Sequence, residues 1–176
     1  IKYSNDIYKI IEFLHVKPGK GPAFVRTKLK SVSSGKVIDN TFTAGHKIDD
    51  VRVENRKYQY LYNDGETFHF MNTEDFNQIE VNESIIEGRK FLKEGTIVTI
   101  IINTENSDIL SVEIPQSVIL EIISSDPGVK GNTATNATKI AVLETGVEIN
   151  VPLFIDEGDK VKVDTEKGNY LERIKD

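Results

Sequence analysis

Apolar and polar residues alternate with a period of two along most of the chain, the pattern of half-buried β-strands. In Phe24–Ser31, Val25, Thr27 and Leu29 fall on one face and Arg26, Lys28 and Lys30 on the other. A strand there packs its apolar face and presents a row of three cations, although the same row also fits an ordinary solvated face. Lys160–Asp164 repeats the pattern, with Val161 and Val163 opposed to Lys160 and Lys162. Further strands are predicted over residues 8–16, 36–42, 57–63, 67–71, 96–103, 110–114, 118–124, 140–143, 148–151 and 170–174.

Turn residues punctuate these runs at Ser33-Ser34-Gly35, Asn63-Asp64-Gly65, Asp126-Pro127-Gly128, Glu157-Gly158-Asp159 and Lys167-Gly168-Asn169. Asn63-Asp64-Gly65 lies between two aromatic-rich runs and predicts a hairpin. Helical signal is thin. Thr73-Glu74-Asp75-Phe76 predicts one helical turn capped by Asn72 or Thr73, and residues 84–91 a short helix weakened by Gly88. Around a dozen short strands with regular turns mean an all-β protein made of small barrels. A charge shift near Arg56–Tyr58 and the turn at Asp126-Pro127-Gly128 divide it into residues 1–57, 58–125 and 126–176, with no convincing internal repeat.

Composition narrows the class. The 176 residues are 38% hydrophobic and 28% charged, an ordinary globular mixture. No apolar run approaches the ~20 residues of a spanning helix, so no membrane partner is expected. The chain opens at Ile1-Lys2-Tyr3 without a methionine, so a targeting signal is not readable. With no cysteine, disulfides, thiolate catalysis and cysteine-based zinc sites are excluded. His15, His46 and His69 lack metal-ligand spacing. There is no catalytic constellation and no dinucleotide fingerprint. The expectation is therefore a non-enzyme without cofactor or metal.

The net charge of −6 conceals an asymmetry: residues 1–60 carry +6, residues 61–120 carry −8 and residues 121–176 carry −4. That distribution suggests a basic binding module followed by acidic ones. The basic part contains Lys17-Pro18-Gly19-Lys20-Gly21-Pro22-Ala23-Phe24, between two predicted strands. Lys20 is flanked by Gly19 and Gly21, then by Pro18 and Pro22. Glycine permits a sharp turn and close approach, while the prolines restrict the backbone on either side. The segment reads as a stiff finger with one long cation at its tip. It lacks the glycine spacing and Gly-Lys-Ser/Thr ending of a phosphate-binding P-loop.

These residues also carry a resemblance. His15-Val16-Lys17-Pro18-Gly19-Lys20-Gly21, then Ala23-Phe24-Val25-Arg26, is similar to the first domain of bacterial elongation factor P proteins. Gln59-Tyr60-Leu61-Tyr62-Asn63-Asp64-Gly65, with Phe68 and Phe70-Met71, resembles the opening of their second domain. Lys139-Ile140-Ala141, Gly146, Ile149, Val151-Pro152, Ile155 and Gly158 match the spacing of their C-terminal signature, and Gly168-Asn169-Tyr170 and Arg173 also match. Three motifs in order span essentially the whole chain.

The resemblance implies an SH3-like (KOW-like) barrel followed by two OB-fold barrels in an L-shaped, tRNA-like arrangement. The family's first domain normally opens with a strand that precedes Ile1. The implied function is a cytoplasmic, monomeric translation factor, organellar if a targeting peptide has been removed. It would bind the 70S-type ribosome between the P and E sites and relieve stalling at consecutive prolines. Lys20 would contact the CCA end of P-site peptidyl-tRNA, at a position that many members extend by post-translational modification. Pro22 makes the loop symmetric, which resembles a subgroup found among actinobacteria, cyanobacteria and plastids, in some members of which the lysine works unmodified. Gly131-Asn132-Thr133 would contact the mRNA codon in the E site, with Asn132 where aspartate is usual. Arg26, Lys28 and Lys30 would hold RNA backbone. The competing class is a non-ribosomal SH3/OB protein for single-stranded nucleic acid, which would need exposed aromatics among the cations.

Overall fold

The computed structural model describes residues 1–127 and 137–175. It is all-β, with 57% of residues in strands and three curled, half-barrel sheets. The first sheet holds β1 (Lys2–Tyr3), β2 (Asp6–Val16), β3 (Phe24–Ser31) and β4 (Val37–Thr43) in sequential order. The second holds β5 (Val53–Asn63), β6 (Thr67–Asn72), β7 (Gln78–Asn82), β8 (Ile97–Asn103) and β9 (Ile109–Glu113), ordered β7-β6-β5-β8-β9. The third holds β10 (Ser117–Ser125), β11 (Thr138–Leu143), β12 (Glu148–Pro152), β13 (Lys160–Asp164) and β14 (Tyr170–Ile174), ordered β12-β11-β10-β13-β14. Shifted by five strands, the last two orders are identical. Pairing between these strands is antiparallel, and the predicted alternation is the burial pattern of β3, β6 and β8 to β13, whereas β2 is exposed along most of its length.

The sheets divide the chain differently from the expected boundaries. The central strand of the second sheet starts at Val53, so residues 53–57 belong to it and not to the first unit. Likewise β10 pairs with β11 and β13, so residues 117–125 belong to the third unit. The charge shift marks where side-chain chemistry changes, which is not where backbone pairing changes.

The helical expectations also need correction. Residues 84–91 form no α-helix: two 3-10 turns, Glu83–Ile85 and Arg89–Phe91, flank Gly88. Gly88 has φ of +73°, and a Cβ there would lie 2.6 Å from Ile114 Cδ1. The positive φ favours glycine here, and a side chain would also have to displace Ile114, while the third unit's Thr165 O lies 3.5 Å from the same point. Thr73–Phe76 is a hairpin turn. The Asn72 N–H donates to the Asn77 carbonyl at 2.8 Å, Phe76 N–H returns to Asn72 O at 3.1 Å, and Asn72 Oδ1 accepts from Glu74 N–H at 2.8 Å.

The same turn recurs at 103–108 and 164–169, a repeat missed in the sequence. Asn103 and Asp164 take the role of Asn72, accepting from Glu105 N–H and Glu166 N–H at 2.9 Å each. In all three, the threonine that follows ties the turn to a neighbouring segment. Thr73, Thr104 and Thr165 donate their hydroxyls to the carbonyls of Lys57, Arg52 and Pro115. The fifth residue is left-handed each time: Phe76, Ser107 and Gly168, at φ of 60°, 63° and 70°. Local side-chain bonds of this kind outcompete a helical turn.

Packing differs sharply between the units. The second core is built from Tyr58, Tyr60, Phe68, Phe70, Val98 and Ile100. The third is built from Leu120, Ile122, Leu143, Val151, Val161 and Val163, and it also contains Phe91, a residue of the second unit. In the first sheet, among the described residues, Leu29 alone is a fully buried large apolar side chain, and Phe13 on the β2 edge is 77% exposed. Because Phe91 is 0% exposed inside its neighbour's core, Phe91→Ala should destabilise the protein by about 3–5 kcal/mol. Urea unfolding should show that loss, with fluorescent or NMR probes in both the second and third units shifting together. Loss confined to the second unit would contradict the shared core.

Candidate nucleic-acid interface

The finger expected from sequence is a seven-residue connection between two paired strands. Val16 and Phe24 face each other in register, and residues 17–23 bridge them. Its exit is pinned by Ala44 N–H donating to Ala23 O at 2.9 Å. Pro18, Gly19, Lys20, Gly21 and Pro22 are all exposed. Gly21 has φ of +101°, a conformation closed to other residues at low cost, whereas Gly19 has no positive φ. The two glycines therefore have different duties: Gly21 sets the backbone reversal, and Gly19 leaves room beside the tip. Lys20 makes no ion pair or hydrogen bond among the described residues. A flexible cation on a constrained backbone is available to an external partner.

The row of cations on β3 has the predicted facing. Thr27, Leu29 and Ser31 are buried, while Arg26, Lys28 and Lys30 point outward. Their surroundings differ from the expected uniform stripe. Lys28 stands in register between Glu12 on β2 and Asp39 on β4, and its Nζ lies 2.9 Å from Glu12 Oε2. The hydrogen bond to Glu12 is the main reason its pKa is raised, with the Asp39 charge adding to it. Lys30 pairs with Glu87 of the second unit. Arg26 is exposed and reaches no carboxylate; its guanidinium lies over the Phe24 ring, 5.5 Å from the centroid. The unneutralised charge thus sits at the finger end of the sheet. These neutralising carboxylates escaped the sequence reading because strand register brings them in from 11 to 57 residues away.

Gly131, Asn132 and Thr133 lie outside the described residues. The strands on either side of that connection are tied together. Asp126 N–H donates to Ile140 O at 3.0 Å, and buried Lys139 donates to Ser125 Oγ and Asp156 Oδ1, both at 3.2 Å. The three histidines play different local parts. His46 stacks on Phe42 and His69 on Tyr62, at 5.2 and 4.4 Å between centroids, while His15 is exposed on β2.

A basic half-barrel with an exposed lysine finger, followed by two half-barrels of one strand order, defines a three-part protein of the KOW-like and OB-fold class. Three family models agree, in chain order. They are "Elongation factor P (EF-P) KOW-like domain" over residues 1–48, "Elongation factor P (EF-P) OB domain" over 53–112 and "Elongation factor P, C-terminal" over 118–173. Elongation factor P of Christiangramia forsetii is 65% identical over 176 residues, covering 100% of this chain and 94% of that protein. The Flavobacterium johnsoniae protein of the same name is also 65% identical, and that of Moorella thermoacetica 49% identical over 98% of this chain and 93% of its own. The chain belongs to the elongation factor P family. A solved structure, "Eukaryotic translation initiation factor 5A from Methanococcus jannaschii", is 23% identical over 62% of this chain and 81% of its own, with a TM-score of 0.49.

The loop geometry separates the two glycines experimentally. Gly21→Ala forces a side chain into a positive-φ position, at a cost of roughly 1–2 kcal/mol, and should shift the backbone amide resonances of residues 17–23. Gly19→Ala should leave them nearly in place. Equal perturbation by the two substitutions would contradict the assigned roles.

Proposed function

We propose that this translation factor binds the ribosome between the P and E sites and positions peptidyl-tRNA, relieving stalls at consecutive prolines. The observation that carries the reading is Lys20, an unpaired cation at the tip of a proline-braced loop. Proline is a poor acceptor because its ring restricts approach, and consecutive prolines hold the nascent chain in extended conformations. Peptidyl-tRNA then strays from the reactive geometry. A finger against its CCA end limits that motion, an entropic contribution of the same kind as substrate orientation. The ribosome performs the chemistry, so the factor needs no acid, base, metal or cofactor of its own.

Lysine suits the tip because a point charge on a flexible stem follows phosphates and ribose hydroxyls without demanding fork geometry. Lys20 is also the position at which a covalent extension would lengthen the reach. Arg26, next along the sheet from the finger, would anchor RNA backbone. Lys28 and Lys30 would contribute less while carboxylates hold them. Gly131, Asn132 and Thr133 would read the E-site codon. The non-ribosomal alternative gains little support from the cation face: Phe24 lies beneath Arg26, Tyr8 packs edge-on to Tyr3, and the exposed Phe13 is in register with Thr27, on the opposite face of the sheet from the cations. Among the described residues no helix is long and apolar enough to cross a membrane.

Translation of a reporter carrying three consecutive prolines tests the reading. Lys20→Ala should keep the thermal stability of the parent, since the tip is exposed, yet lose rescue by on the order of tenfold or more. Full rescue by the alanine variant would refute the role. For the basic face, Arg26→Ala should flatten the salt dependence of tRNA or ribosome binding by about 0.7–0.9 in log–log slope. Lys28→Ala should change it less, and equal effects would restore the uniform stripe.

A further inference from the structure

The first unit meets the second through charges. Lys2 pairs with Glu105 at 2.8 Å, Lys9 with Glu113 at 2.7 Å, and Lys30 with Glu87. In each case the lysine comes from the basic unit and the glutamate from the acidic one. All six side chains retain solvent contact, from 30% exposure at Lys30 to 73% at Glu87. Between the units lies an open cleft of about 690 Å³, lined by Lys9, Lys30, Glu87, Lys90 and Glu113 among others. A second cleft of about 420 Å³ lies between Ile7 and Val32 on one side and Ile85 and Ile109 on the other. Open clefts with partly apolar linings therefore flank the joint, and the side-chain bonds that cross it are ionic.

Two of these lysines form a unit. Lys9 on β2 and Lys30 on β3 are cross-strand partners in register. Adjacent cations on one sheet face repel unless an anion is shared or each has its own. Here Glu113 and Glu87 supply those anions, each with a carboxylate oxygen against the lysine Nζ. Lys30 also continues the outer row of Arg26 and Lys28 toward the second unit.

We infer that Lys9 and Lys30 are a second phosphate-binding pair, masked by the second unit's own carboxylates, and that the joint opens when RNA phosphates replace them. The inference rests on the RNA-binding reading above. It makes the glutamates internal competitors: they hold the arm in one orientation and lower its affinity for RNA met at random. An RNA that engages the finger end first raises the local phosphate concentration beside Lys30 and takes over the pair. At Lys9 and Lys30 opening exchanges two protein ion pairs for two phosphate contacts, so each lysine keeps an anion and the joint can reclose on release; the third pair, Lys2–Glu105, takes no part in the exchange.

The test uses the full chain. Compare it with a Glu87→Gln/Glu113→Gln variant for binding to deacylated tRNA across KCl concentrations. Near 50 mM KCl the variant should bind about tenfold tighter, with a log–log salt slope steeper by about 1–2, as two more cations meet phosphates. Adding Lys9→Gln and Lys30→Gln should remove the gain. A gain that survives loss of both lysines would be a net-charge effect and would overturn the inference. Equal, salt-sensitive binding by parent and variant would overturn it alone. If neither protein bound tRNA, the RNA-binding reading would fall as well.

A second measurement follows the joint itself. The chain has no cysteine, so dyes on Lys36→Cys and Gln78→Cys, both exposed, report the separation of the units. Transfer efficiencies should be narrow at low salt in the parent. They should broaden near 0.5 M KCl, where screening shortens to a few ångströms, and be intermediate in the glutamine variant at low salt, where Lys2–Glu105 alone of the three pairs remains. Distributions insensitive to both salt and substitution would overturn the ionic joint.

Discussion

One phenylalanine determines how this molecule is divided. Phe91 belongs by sequence to the second unit and by packing to the third, where it is completely buried. Barrels of this size are near the limit at which a core holds alone, so a shared aromatic side chain matters to both. The surrounding contacts reinforce the joint. Gly88 lets the chain approach Ile114 closely, Thr165 reaches back to Pro115 O at 2.7 Å, and Lys93 pairs with Glu144 at 2.9 Å. Apolar burial has no ionic alternative in solution, so this joint does not relax with salt. The other joint, between the first and second units, is built from exposed lysine–glutamate pairs beside an open cleft. One chain thus contains a stiff two-barrel body and an arm attached by contacts that water and counterions can replace.

The electrostatics of the arm follow from the same division. Its cations outnumber its anions, but they are not equally available. Those near the second unit are taken by that unit's glutamates. Lys28, mid-sheet, is held by carboxylates on both neighbouring strands, and the hydrogen bond with Glu12 strengthens its charged form. At the far end, Arg26 and Lys20 reach no carboxylate. Neutralisation therefore increases from the finger toward the body. A polyanion approaching the arm meets the finger first, because that is where charge is least compensated.

Much of this was legible in the sequence, and the reasons are local. Period-two patterning identified β3 and β13 with their facing, because alternation is a property of consecutive residues. The finger was legible because two glycines and two prolines constrain the backbone whatever surrounds them. What was hidden depended on register and on distant segments. The strand β7 carries the same signal, Ile79 and Val81 alternating with Gln78, Glu80 and Asn82, but at five residues it is too short to stand out, and its pairing with β6 decides it. Composition does not report which strand pairs with which, so the expected boundary at 57 cuts through β5 and the one at 125 falls after β10 and not before it. The repeated turn was missed because its identity resides in the bonds of Asn72, Asn103 and Asp164, while the residue at the left-handed position changes from Phe76 to Ser107 to Gly168.

The finger's stiffness acquires its meaning from the arm's looseness. A rigid tip on a rigid body would have to match its target at once in position and orientation, and any mismatch would strain one or the other. A flexible tip on a flexible arm would lose the entropy of both on docking. Here the constraint is placed where the contact is made. Pro18, Pro22 and the positive-φ Gly21 restrict the loop, and the ordered strands β2 and β3 carry that restriction back to the joint. On the inference drawn above, the freedom that remains is concentrated at the ionic joint, where the unit would move as a whole. Orienting one body costs far less entropy than ordering seven loop residues one by one. The arm can then adjust to the body's seat on a large partner, while Lys20 is presented in the same way each time.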